Sequence, residues 1–167
     1  MGQGDRVSDS PTDQFTGTCG FRLMPADDLA DAASTFSRTP IGATQMLLRY
    51  TWIHPADGPQ QGTLLLGGPE DGGREVHAAW ADTWHQQPGL LVLTGTRDGD
   101  RVDLAATYLG DWGWEISFTG VMSDSPAMTM RNVVPASARD SLPPDSPPVT
   151  AGPYDVMLAR WFSPAAP

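Results

Sequence analysis

The stretch Leu90-Leu91-Val92-Leu93-Thr94-Gly95-Thr96-Arg97-Asp98-Gly99-Asp100-Arg101-Val102-Asp103-Leu104-Ala105-Ala106-Thr107-Tyr108 reads as two strands joined by a tight turn. Residues suited to a pleated surface fill 90–97 and 102–108, and Asp98-Gly99-Asp100 between them is hairpin turn chemistry. The same alternation continues on both sides. Downstream, Asp111–Thr119 places Trp112, Trp114, Ile116 and Phe118 on one face, and Ala127–Val134 does so for Met128, Met130, Asn132 and Val134. Upstream, Thr44–His54 carries Met46, Leu48, Tyr50 and Trp52, Gln61–Leu66 follows, and Glu75–Trp84 aligns Val76, Ala78, Trp80, Asp82 and Trp84. His54–Pro59, Gly67-Gly68-Pro69 and Gln86–Gly89 break these runs as turns.

A polar segment with six prolines, Pro135–Pro153, reads as a surface loop before the last strand candidate, Tyr154–Phe162. Eight strand candidates with short connections predict an antiparallel sheet, curled into a barrel or split into a sandwich. Hairpin-like succession favours the up-and-down barrel, all-β, with eight to ten strands. Pro25–Ala33 has Pro and Asp where a helix begins, and predicts a short N-terminal helix. Residues 1–20 and 164–167 read as flexible tails around one domain at 21–163.

Composition narrows the function classes. The chain has 167 residues, including 18 glycines and 16 prolines, which works against long helices. All ten basic residues are arginine, so lysine Schiff-base chemistry and a phosphate-loop lysine are excluded. A formal net charge of −10 argues against nucleic acid and against anionic membrane surfaces. Cys19 is the sole cysteine, which leaves neither an internal disulfide nor a thiolate metal site. The N-terminus lacks the apolar run of a signal peptide, and no stretch approaches the ~18 apolar residues of a membrane helix. The expected setting is the cytoplasm.

Tyr50-Thr51-Trp52, Trp80–Gln86, Gly110–Glu115 and Met130–Pro135 resemble an actinobacterial branch of the DUF1579 family. The resemblance spans about Phe21–Phe162 and rests on tryptophan and glycine patterns. It implies a calycin-like barrel and no defined activity. The haem-binding nitrobindins, another calycin-like group, take their iron ligand from a histidine near the C-terminus. Tyr154–Phe162 contains none, so that mode does not carry over, and no cofactor is expected.

Six tryptophans are the compositional oddity. Indoles bury large area and offer one N–H donor, which suits either a tight core or a wall around a flat apolar ligand. In Trp80-x-Asp82-x-Trp84 the three side chains share a face. Asp82 reads either as a carboxylate of raised pKa among indoles, able to work as acid or base, or as an acceptor for turn amides or an arginine such as Arg49 or Arg160. His85 reads either as a proton-transfer group at a strand end or as an exposed turn histidine. Strand parity puts it with His77, opposite Asp82, and the two histidines lie roughly 26 Å apart, too far to share a metal. His54 adds no metal-ligand spacing, and no metal site is expected. Met128, Met130 and Asn132 suit an adaptable pocket or an irregular core.

Two functions fit. The first is a binding barrel for a hydrophobic small molecule, with Tyr50, Trp52, Trp80, Trp84, Trp112, Trp114, Met130 and Asn132 as ligand contacts. The second is a cofactor-free enzyme of cyclase or isomerase type in the same cavity, with Asp82, His85 and Tyr108 as acid–base groups. Self-association as a homodimer is compatible with either. No nucleophile elbow, phosphate loop or dinucleotide fingerprint is present.

Overall fold

The structure, a computed structural model, describes residues 11–68, 72–138 and 150–164. It is a closed antiparallel barrel in which ten strands follow one another in chain order. They are β1 (Asp13–Phe21), β2 (Ala30–Ile41), β3 (Gln45–His54), β4 (Gly58–Gly67), β5 (Glu75–Asp82), β6 (Gln86–Asp98), β7 (Arg101–Tyr108), β8 (Trp112–Thr119), β9 (Ala127–Val134) and β10 (Gly152–Phe162). Each pairs with the next, and β10 returns to pair with β1, from Thr16↔Phe162 to Phe21↔Met157. Among the described residues closure leaves no unpaired edge strand. Among the described residues no helix is long and apolar enough to cross a membrane.

The eight candidate strands correspond to β3–β10, and their predicted apolar faces point inward. Leu48, Trp52, Leu64, Trp80, Leu93 and Ile116 are all fully buried. Outward positions on β1–β3, such as Thr16, Thr18, Thr35, Arg49 and Thr51, are polar. The Asp98-Gly99-Asp100 turn forms as expected, with Gly99 at φ 58°.

Two expectations near the N-terminus are corrected. The flexible tail expected over 1–20 contains β1 from Asp13 onward, with Phe15, Cys19 and Phe21 buried. Its Thr and Gly content hides this, because the ladder partners that hold it lie on β2 and at the far end of the chain. Gly17 belongs to that closure: a Cβ there would lie 1.9 Å from the Arg160 carbonyl oxygen of β10. The helix expected over Pro25–Ala33 is absent. Residues 22–29 turn the chain, with the Met24 N–H donating to the Asp27 carboxylate at 2.9 Å, and β2 begins at Ala30. Ala30–Ala33 pair with Phe21–Thr18 of β1, so the inter-strand ladder overrides a weak local helix preference. Of the Pro-rich segment, 139–149 lie outside the described residues, as do 1–10 and 165–167 of the tails; Gly152 and Pro153 begin β10.

The barrel has two differently built ends. At the lower end the Arg38 guanidinium donates to Asp13 at 2.7 Å and to the carbonyls of Val121 and Ser123 at 2.8 Å. It also covers the Phe15 ring, 4.9 Å away. The upper end, reached by the β1–β2, β3–β4, β5–β6, β7–β8 and β9–β10 connections, gathers most of the chemistry-bearing side chains.

Candidate functional site

Tyr50 on β3, Gly62 on β4 and Asp82 on β5 lie opposite one another in register. The Tyr50 ring crosses the barrel wall over Gly62, where a Cβ would sit 2.0 Å from the ring carbon Cζ. Only glycine leaves the phenol this path. Its hydroxyl then donates to Asp82 Oδ2 at 2.9 Å, while Trp52 Nε1 donates to the same oxygen at 3.2 Å. Trp80 Nε1 completes the set, donating to the Tyr50 hydroxyl at 3.0 Å.

The other oxygen of Asp82 orders the turn after β5. Oδ1 accepts the backbone N–H groups of Trp84 and His85, both at 2.9 Å, and faces His85 Nδ1 at 3.3 Å. Burial pushes the Asp82 carboxyl upward. Hydrogen bonds from the His85 ring and from the backbone N–H groups of His85 and Trp84 outweigh it and hold the group below its ordinary 3.8. The raised-pKa reading of Asp82 is therefore corrected. The turn-amide reading holds, whereas Arg49 and Arg160 lie exposed on the outer wall. Asp82 is a fixed carboxylate, satisfied by donors on both oxygens.

His85 differs from both the parity and the exposure expected of it. β5 ends at Asp82, so strand alternation no longer governs position 85, and the Asp82-capped turn sends the imidazole inward. The side chain is 1% exposed. Because an ionised carboxylate only accepts, Nδ1 carries the proton facing Asp82, and in the tautomer this bond selects Nε2 is the lone-pair nitrogen. Nε2 is buried and has no hydrogen-bond partner among the described residues. Around the imidazole stand Trp52 at 4.7 Å, Trp84 at 5.0 Å, Trp114 at 5.3 Å, Phe21 at 5.8 Å and Trp80 at 6.4 Å between ring centroids.

Trp84 and His54 cover this cluster. Their rings stack at 4.7 Å with 22° between planes, and Trp84 Nε1 donates to Asp57 of the β3–β4 turn at 2.9 Å. His54 Nδ1 accepts the Asp57 N–H at 3.0 Å, which fixes the second half of the cover. The pair is held on the surface side by exposed hydrogen bonds to the β3–β4 turn and by one stack.

The remaining sequence candidates divide. Tyr108 stacks on Trp114 at 5.8 Å and accepts from Asn132 Nδ2 at 3.0 Å, with burial raising its phenol above the ordinary 10.0. Trp114, in contact with both rings, stands between Tyr108 and the Asp82–His85 pair. Trp112 is half-buried at the start of β8, opposite Tyr108, and has no ring contact with His85 among the described residues. Met130 lies deep in the wall, in register with Ile116 and Met157, and is core. His77 is exposed beside Glu75 on the outer face.

Sequence reading missed Phe21, His54 and Gly62. A glycine inside a strand pattern is the signal that could have marked Gly62. Cys19 faces the same interior rather than a tail; burial, with the charges of Asp31 and Asp82, pushes its thiol up to about 12. Among the described residues no group of three or more His, Cys, Asp or Glu side chains could hold a metal ion. A cleft of about 400 Å³ on the outer wall, lined by Thr35, Arg49, Thr51 and Thr63 among others, also borders Tyr50 and Gly62. No protein-family model and no curated protein matches the chain.

Proposed function

We propose that the protein is a small-molecule-binding barrel that holds an apolar or aromatic ligand at its upper end. The ligand sits among Trp52, Trp84 and Trp114, with His85 Nε2 as polar anchor. The observation that carries this reading is the buried, unpartnered Nε2 inside a cage of aromatic rings. An unsatisfied buried polar atom costs about 1–3 kcal/mol, which a ligand group reaching it relieves. Trp84 is the movable wall, since its outer edge is held only by the surface contact with Asp57 and by His54. Tyr50 and Trp80 support the site from below by fixing Asp82.

The inward indoles, with outward polar residues such as Thr16, Thr35, Arg49 and Thr51 on β1–β3, support a barrel that works in water. The DUF1579 reading rests on the four motif segments, and the calycin-like barrel it implies agrees with the closed sheet.

Titration with planar hydrophobic probes tests the proposal through tryptophan emission. Saturable quenching with one site per chain is expected, with faster association in Trp84→Ala. A response that stays linear with probe concentration across the panel sinks it. The Asp82–His85 pair also favours a second reading, acid–base catalysis of an isomerisation or cyclisation, in which Asp82 orients the imidazole and Nε2 moves the proton. Tyr108, placed behind Trp114, would then touch substrate only from the far side of that indole.

A further inference from the structure

We infer that the ligand of this site is an aromatic or enolic alcohol whose hydroxyl donates its proton to His85 Nε2. The inference rests on the proposed binding function and specifies its chemistry. Nδ1 faces an acceptor-only carboxylate, so the free nitrogen asks for a donor. Trp52, Trp84, Trp114 and Phe21 pack against the imidazole, so a group that reaches Nε2 by displacing Trp84 meets flat apolar surface. Both demands meet in one molecule when a hydroxyl is attached to an aromatic or conjugated frame.

Charge removes the ionic alternatives. A permanent anion would be buried close to the Asp82 carboxylate. A cation would shed its water without gaining a free carboxylate, because both oxygens of Asp82 already accept hydrogen bonds from the protein. A neutral hydroxyl brings no net charge. If it ionises in place, its O–H bond breaks and an Nε2–H bond forms. The resulting oxyanion faces an imidazolium whose other N–H remains on Asp82. The same proton is shared in either form, and the total charge of the site is unchanged.

The experiment compares 2-naphthol, 2-methoxynaphthalene and naphthalene on the full chain by calorimetry or tryptophan quenching. It adds the ¹⁵N resonance of His85 Nε2 in the unsubstituted protein. The expected result is that 2-naphthol binds about fivefold to tenfold more tightly than its methyl ether, in line with one buried hydrogen bond. The Nε2 resonance should move with 2-naphthol and stay in place with the ether. His85→Phe keeps a ring in the cage and should erase the preference while retaining naphthalene binding. Equal affinity for 2-naphthol and 2-methoxynaphthalene overturns the hydroxyl inference and leaves the binding function standing. Saturable binding by none of the three overturns both. Should His85→Phe fail to fold, the probe comparison and the Nε2 resonance of the unsubstituted protein decide.

Discussion

Gly62 shows how one residue decides whether the site exists. Tyr50 and Asp82 stand on strands separated by β4, and their hydrogen bond passes through the space a side chain at 62 would fill. Gly62→Ala should therefore displace the phenol and break both the Tyr50–Asp82 and Trp80–Tyr50 bonds. Loss of two buried hydrogen bonds, with groups left unpaired, predicts destabilisation of about 2–4 kcal/mol, read from urea unfolding. A change under about 0.5 kcal/mol would mean that the ring does not use this path. Position 85 teaches a different lesson at the same scale. Its inward orientation follows from Asp82 capping the turn rather than from strand alternation, which is why parity placed it wrongly.

At the scale of elements, the legible strands were those whose inward positions are mostly large and apolar. β3, with Met46, Leu48, Tyr50 and Trp52, and β8, with Trp114, Ile116 and Phe118, declare themselves by period two. β2 turns Ser34, Phe36 and Arg38 inward, and β1 turns Phe15, Gly17, Cys19 and Phe21 inward, so neither shows a clean apolar face. Ser34 can be inside because Trp161 Nε1 donates to its hydroxyl at 2.7 Å. Arg38 can be inside because Asp13 and two carbonyls satisfy it. A chain beginning at Arg22 would lack β1 and expose the edges of β2 and β10. It is expected to lose its cooperative melt and to aggregate on a sizing column. If such a chain melts like the full protein, closure by β1 is dispensable and residues 13–21 act as the tail their composition suggests.

Across the whole molecule, acid brings two opposing effects. The formal net charge of −10 at pH 7 repels itself within the folded state, and this repulsion eases as pH falls toward acidic values. Asp82 works the other way. Its folded value lies below 3.8, so its contribution to stability is full above the unfolded value and is lost as pH falls from about 4 through the folded value. Asp103, held low first by the Arg101 guanidinium, has the same sign but is largely solvent-screened. Unfolding free energy should thus hold or rise from pH 7 to about 5 and drop below about 4. In Asp82→Asn the protein should be less stable at pH 7 and show a shallower drop in acid. An acid limb of unchanged steepness in Asp82→Asn would show that other carboxylates govern it.

What the amino-acid order determined by itself was local: which residues alternate, where turns interrupt them, and hence that Tyr50 shares a face with Trp52 and Trp80 with Asp82, while which face lies inside came only with the closed sheet. Side-chain direction in a strand depends only on neighbours in the chain, so it can be read without coordinates. The tertiary structure alone decided closure through β1 and β10, the ionised state of Asp82 and the buried, half-partnered imidazole of His85. Each depends on groups far along the chain, as with the Tyr50 and Trp52 donors to Asp82, 32 and 30 residues away, and only folding brings them within a hydrogen bond.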